Sequence, residues 1–114
     1  MTRLFVPLMT AWFEAFTSGR KTYELRGYGR QYTEKNVYPG KEVELRKGYS
    51  GASLHGTIGE VVIGSLDDIL EQVPYRAIMP DARTRSEVKE NAQALLANNE
   101  KYIAFEIKNI KKEK

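Results

Sequence analysis

The sequence predicts an α+β domain: a small, curled antiparallel sheet or barrel with helices packed on it. Three observations point there. Short alternating runs recur at Lys21 to Gly27, Lys41 to Arg46, Thr57 to Ile63 and Tyr102 to Ile107, with the period of half-buried strands. Between them lie stretches with apolar residues at helical spacing. Helices and strands do not alternate regularly, which argues against a parallel doubly wound sheet. The 114 residues suit a single domain over 1–114, and no repeat or low-complexity linker divides it.

The elements follow in order. Met9, Trp12, Phe13 and Phe16 are spaced i, i+3, i+4, i+7, so a short amphipathic helix is predicted, with Thr10 as N-cap and Ser18-Gly19 as its end. In the strand that follows, Tyr23 and Leu25 share one face, and Thr22, Glu24 and Arg26 the other. Gly27 to Val37 is polar and reads as loop, and Pro39-Gly40 as a turn. Val43 and Leu45 point inward from the next strand. Lys47 to Gly56 carries three glycines and reads as a long hairpin loop before the strand at Thr57 to Ile63. Ser65, with Asp68 three residues on, opens a helix through Leu66, Ile69, Leu70 and Val73. Pro74 to Arg83 reads as irregular. Thr84 with Glu87 opens another helix, with Val88, Ala92, Leu95 and Leu96 on one face, ended by Asn98-Asn99. In the last strand Ile103, Phe105 and Ile107 face inward, and residues 111–114 are expected to fray.

Composition removes several classes of function. With 41% apolar and 29% charged residues the chain is globular rather than disordered. There is no cysteine, hence no disulfide scaffold, thiolate nucleophile or thiolate-held zinc. The one histidine, His55, excludes two-histidine metal motifs and reads as structural or solvated. No metal and no cofactor is expected. No run approaches about 18 apolar residues, so no membrane partner is expected. Arg3, Pro7 and Glu14 make the apolar N-terminus a poor secretion signal, and a cytoplasmic protein is expected. Net charge is +3, unevenly spread: residues 1–57 hold nine Lys/Arg against five Asp/Glu, and residues 58–114 nine against ten. A basic first half suits a phosphate-bearing partner; a solvated surface with chance asymmetry accounts for it equally.

The densest chemistry lies in Ser18-Gly19-Arg20-Lys21-Thr22-Tyr23-Glu24-Leu25-Arg26. In an ideal strand Lys21 points away from Glu24 and Arg26, because a spacing of three reverses the face. A bend at Gly19 returns Lys21 over the same pocket. Glu24 then holds Lys21 or Arg26 by a charge-assisted bond, and a remaining cation faces a phosphate or carbonyl. An exposed ion-pair cluster on a strand fits the same residues. Tyr23, Tyr28, Tyr32 and Tyr38 interleave with Arg26, Arg30 and Lys35, a composition suited to single-strand binding. Tyr49, in the glycine-rich loop, is placed to stack on a base or to sit at a flexible hairpin tip.

Gly19-x-Lys21-x-x-Glu24-x-Arg26 resembles the G-x-K-x-x-E-x-R signature of the ASCH domain, a branch of the PUA-like superfamily. The aromatic helix before it, Pro39-Gly40 and the closing strand are similar too, over roughly residues 4–110. The resemblance implies a small PUA-like β-barrel with flanking helices and a cleft lined by the motif. It implies binding of single-stranded RNA, a nucleotide or a nucleoside, with Lys21, Thr22, Glu24, Arg26 and Tyr49 as ligand-binding residues. It also carries an alternative: a hydrolase acting on N4-acetylcytidine or on RNA, with Lys21 and Glu24 as the acid–base pair. The amidohydrolase branch places its threonine nucleophile where this chain has Glu24, and its lysine on Lys21. Its glutamate comes from the helical region after the third strand, where Asp67, Asp68 and Glu71 are the candidates. Thr22 is a second candidate hydroxyl on the Glu24 face.

Overall fold

The computed structural model describes residues 2–96 and 100–112. In chain order it contains β1 (Leu4–Leu8), α1 (Thr10–Thr17), β2 (Tyr23–Gly27), β3 (Glu42–Lys47), β4 (Ser53–Gly64), α2 (Leu66–Gln72), α3 (Tyr75–Ile78), α4 (Arg85–Leu95) and β5 (Tyr102–Lys112). The strands form one sheet in the order β1-β3-β4-β5-β2. The α+β class is as the sequence predicts. Two features differ: the sheet is mixed, because β1 runs parallel to β3, and the barrel is a half-barrel whose edges are β1 and β2.

Pro7 helps explain the open edge. Its carbonyl accepts from Arg26 Nη2 at 2.7 Å, so this residue's backbone faces outward from the sheet toward β2. A strand residue points its N–H and C=O to the same side, and proline supplies no N–H there. A continuous ladder between β1 and β2 is therefore not available at this point. The Arg26 side chain spans the seam instead.

Alternation builds the core as expected at β3; in β5 Ile103, Phe105 and Ile107 share one buried face, but Tyr102 and Ala104 are buried on the other as well. Val43, Leu45, Ile58, Phe105 and Ile107 are buried with Leu4, Val6, Phe13 and Phe16. A second cluster joins Leu25, Val62 and Tyr102 to Leu66, Ile69, Ile78, Val88 and Ala92 of the helices. Trp12 is half-buried and packs against both clusters. Val61 is also only half-buried; register shifts between Ile58 and Val61 break the strict alternation of β4 there.

The sequence pattern misses several details. β1 hides in the apolar run before α1, and Met9, not Thr10, is the N-cap of α1. Residues 53–56 belong to β4, which shortens the hairpin loop. A single helical turn, α3, interrupts the irregular stretch. At α2 the Ser65–Asp68 capping box is complete. At α4 Thr84 accepts from the Glu87 amide, but Glu87 takes the Arg83 amide rather than that of Thr84. Leu95 is 55% exposed, not buried with its helical neighbours. Asn98-Asn99 lies outside the described residues. β5 continues beyond Ile107, pairing Lys111 with His55 and Lys112 with Leu54. The tail expected to fray from residue 111 is thus strand as far as Lys112; 113–114 lie outside the described residues. Among the described residues no helix is long and apolar enough to cross a membrane.

Candidate functional site

The site lies at the open seam. Gly19, at φ +80°, ends α1 in the left-handed conformation that glycine adopts without strain. The chain reverses there, and the Lys21 amide bonds back to the Ala15 carbonyl at 3.1 Å. β2 begins at Tyr23, not at Lys21 as the sequence pattern has it, so Lys21 is free of the strand's alternation and this bend delivers its side chain to the Glu24 face. Lys21 Nζ stands 3.4 Å from Glu24 Oε1. Glu24 Oε2 accepts from Arg26 Nε at 2.7 Å and lies 2.7 Å from Arg26 Nη2. Arg26 Nη1 donates to the Tyr32 hydroxyl at 3.0 Å. Its guanidinium lies over the Tyr32 ring, 5.0 Å from the centroid.

The exposed ion-pair cluster that also fitted the sequence is thereby removed. The Lys21 side chain is 3% exposed, that of Glu24 8% and that of Arg26 20%. Lys21 is compensated by several partners: the Ile78 carbonyl accepts at 2.5 Å, and the Trp12 and Phe16 rings lie 5.2 and 5.3 Å from the ammonium. Desolvation still dominates. Burial draws the Lys21 amine below its ordinary value, against the opposing pull of Glu24. Burial works against the Arg26 charge as well, but Glu24 and Tyr32 overcome it and hold the guanidinium more firmly protonated than usual.

Lys21 therefore titrates below the 10.5 of a free side chain. The folded chain then binds fewer protons at this site than the unfolded chain does. Stability rises with pH from the depressed value up to 10.5. Tyr23 opposes this above pH 10.0, because burial and Glu60 raise its hydroxyl. A lysine-selective NMR titration is expected to find Lys21 depressed below 10.5; an unshifted value would contradict the buried placement.

A cavity of about 230 Å³ opens over this triad. Its walls are Pro7, Trp12, Leu25, Ile78 and Ala92, with Met9 and Leu95 at the exposed lip. Its floor carries Lys21, Glu24 and Arg26. Of the three ammonium protons, one serves Ile78 and one faces Glu24, which leaves one for a ligand. Glu24 Oε1 also retains acceptor capacity. The floor offers donors and one acceptor inside an apolar shell, the usual make-up of a small-molecule pocket.

Not every residue predicted for the site is here. Thr22 does not line the cavity; its amide and carbonyl are engaged with Ala77 and Ile107. Tyr49 lies beside a second hollow of about 600 Å³ that adjoins the first and shares Pro7, Arg26 and Leu96 with it. Asp67 pairs with Lys89 at 2.8 Å, Asp68 caps α2 and Glu71 is exposed; none lines the cavity. Among the described lining residues Glu24 is the one carboxylate, and no hydroxyl is present. Pro7, Met9 and Ile78 were missed by sequence reasoning. A proline inside an apolar N-terminal run was the one available sign of an edge strand. His55 accepts from Arg3 across the sheet, away from the triad. Among the described residues no cluster of three or more metal-ligating side chains occurs.

No family model and no curated protein matches the sequence. Solved structures do match. Hypothetical protein PH0355 superposes with a TM-score of 0.73 at 20% identity, over 94% of this chain and 98% of the other. ASCH from Zymomonas mobilis gives 0.67 at 13%, over 95% and 68%. A Pyrococcus furiosus protein solved by NMR, PF0455, gives 0.67 at 15%, over 94% and 96%. At these identities the likeness is one of fold. The chain has the ASCH, PUA-like α+β fold, a mixed five-stranded half-barrel with flanking helices.

Proposed function

We propose that the cavity receives a base of a nucleotide or of single-stranded RNA. The observation that carries this reading is the triad itself: two cations held by one carboxylate at the floor of an apolar pocket beside an indole. Trp12 and the apolar walls enclose a flat ring. Lys21 and Arg26 donate to base carbonyls or to phosphate, and Glu24 accepts from an exocyclic amine. The net charge of the triad is +1, which favours an anionic ligand without making the site a general polyanion trap. Titration with short single-stranded RNA and mononucleotides at two salt concentrations tests this. For single strands the log–log slope is about −0.7 per phosphate neutralised, so a small site engaging few phosphates gives roughly −1 to −3. Absence of binding at low salt would remove nucleic acid from the reading.

A hydrolase is the second reading, favoured by the depressed Lys21 amine 3.4 Å from a carboxylate. It lacks a hydroxyl nucleophile among the described lining residues. Glu24 has to release its cations before it can take a proton from water. The protein is therefore expected to hydrolyse N4-acetylcytidine poorly or not at all, measured by chromatography of released cytidine. Robust turnover that disappears in Lys21→Met would reverse the order of the two readings.

A further inference from the structure

The cavity does not end at Arg26. Arg26, Pro7 and Leu96 line both it and the second hollow, whose far side carries Tyr28, Arg30, Tyr32 and Tyr49. The aromatic rings of this second hollow are not equivalent. Tyr32 is stacked on Phe105 at 6.3 Å and 20°, with Arg26 over its ring. Tyr28 carries Lys101 over its ring at 4.1 Å and gives its hydroxyl to Glu34 at 2.5 Å. Tyr49 is 79% exposed and leans on Phe5 at 34°, which leaves its other face open. Tyr49 lines the same hollow as Arg26, at the triad's outer end, and Tyr32.

Arg30 is the second unusual feature. It stands at the tip of a tight turn closed by reciprocal Gly29–Tyr32 backbone bonds of 3.1 and 2.8 Å. Its φ is +52°, a conformation that costs a non-glycine residue free energy. The exposed cation is held there at the rim of the second hollow. Met9, Leu95 and Tyr49, three of the four most exposed large apolar side chains among the described residues, border the two hollows.

We propose that the ligand is a strand rather than a single nucleotide: with one base in the cavity, the adjoining base stacks on the open face of Tyr49, and the phosphate between them lies across Arg26 and Arg30. This inference rests on the nucleotide reading of the cavity. It adds a second subsite and a minimum length of two nucleotides.

The test compares ribonucleoside 5′-monophosphates with the dinucleoside monophosphate built from the tightest of them. A 5′-monophosphate carries a nearly doubly charged monoester and the dinucleotide a singly charged diester, so each mononucleotide is used as its methyl phosphodiester, and a difference then reports the second nucleoside. A stacked base is worth roughly fivefold to 150-fold in affinity. The dinucleotide is expected to bind tighter by a factor in that range. Tyr49→Ala is expected to remove the gain and leave mononucleotide affinity unchanged, whereas Tyr49→Phe keeps it. Arg30→Ala is expected to weaken the dinucleotide and make its salt slope shallower by up to about 0.7. Both positions are exposed, so these variants fold. If the mononucleotide binds and the dinucleotide binds no tighter, or if the gain survives Tyr49→Ala, the second subsite is overturned while the cavity reading stands. If neither binds, both fall.

Discussion

Replacing Glu24 with alanine is expected to destabilise the protein by about 3–5 kcal/mol, the usual cost of breaking a buried ion pair from one side. Lys21 and Arg26 would be left as two cations beneath the same cavity, the first with a side chain 3% exposed. At this chain length about 4 °C of melting temperature accompanies each kcal/mol, so a fall of roughly 12–20 °C follows. The loss is pH-dependent in a stated direction. Without Glu24, the negative charge that held the Lys21 amine up is gone, and the amine is depressed further below 10.5. The unfolded chain binds the proton that the folded chain releases, so the variant regains stability as pH rises toward 10. The rise sets in at a lower pH than in the wild type, because the window between the folded-state and unfolded-state values is wider. Thermal denaturation from pH 7 to 10 measures both effects. A fall of less than about 4 °C, under 1 kcal/mol at this length, or stability that falls as pH rises from 7 toward 10, contradicts a buried triad.

Arg26→Lys, which keeps the charge, is expected to fail almost as badly as removal of the side chain. The guanidinium serves Glu24, the Tyr32 hydroxyl and the Pro7 carbonyl together. An ammonium is a point donor and does not reproduce that planar fork. A loss of roughly 2–3 kcal/mol is expected, since hydrogen bonds to charged groups are each worth about 1.5–3 kcal/mol and are not additive. The damage is also localised. Pro7 is bridged to β2 through this side chain, so amide exchange in β1 and β2 should accelerate more than in the β4–β5 pair. Nucleotide affinity should fall at least about tenfold, or 1.4 kcal/mol. Urea titration, hydrogen exchange and binding on one preparation separate these effects. A lysine variant with wild-type exchange at the seam shows that Arg26 does not hold it.

Much of the architecture was legible in the residues. Val43 and Leu45 alternate inward because a strand buried on one face writes a period of two; Ile103, Phe105 and Ile107 keep that period on one face of β5, although Tyr102 and Ala104 bury the other face too. Ser65 with Asp68 announced α2, since a capping hydroxyl and carboxylate satisfy amides that no helix can satisfy internally. β1 was not legible. Its Leu4-Phe5-Val6-Pro7-Leu8 run merges into α1 without a turn signal, and a short apolar run has no period of its own. Its parallel pairing with β3 is a long-range choice that local pattern does not encode.

The site divides in the same way. The sequence by itself singled out Lys21, Glu24 and Arg26 as one charged constellation. Their spacing, with Gly19 just before, already contained the bend that brings them together. Only the tertiary structure decided that they are buried. Exposure depends on α1 setting Trp12 and Phe16 against the ammonium, on α3 packing against β2, and on Ile78 offering a carbonyl to an ammonium 57 residues away in sequence. The same folding excluded Thr22, whose backbone is taken up by Ala77 and Ile107, and set Tyr49 beside the cavity rather than in it. Residue type fixes which groups can be charged or donate. Only the packed chain fixes the water each group loses, and that loss separates a solvated ion pair from a buried one.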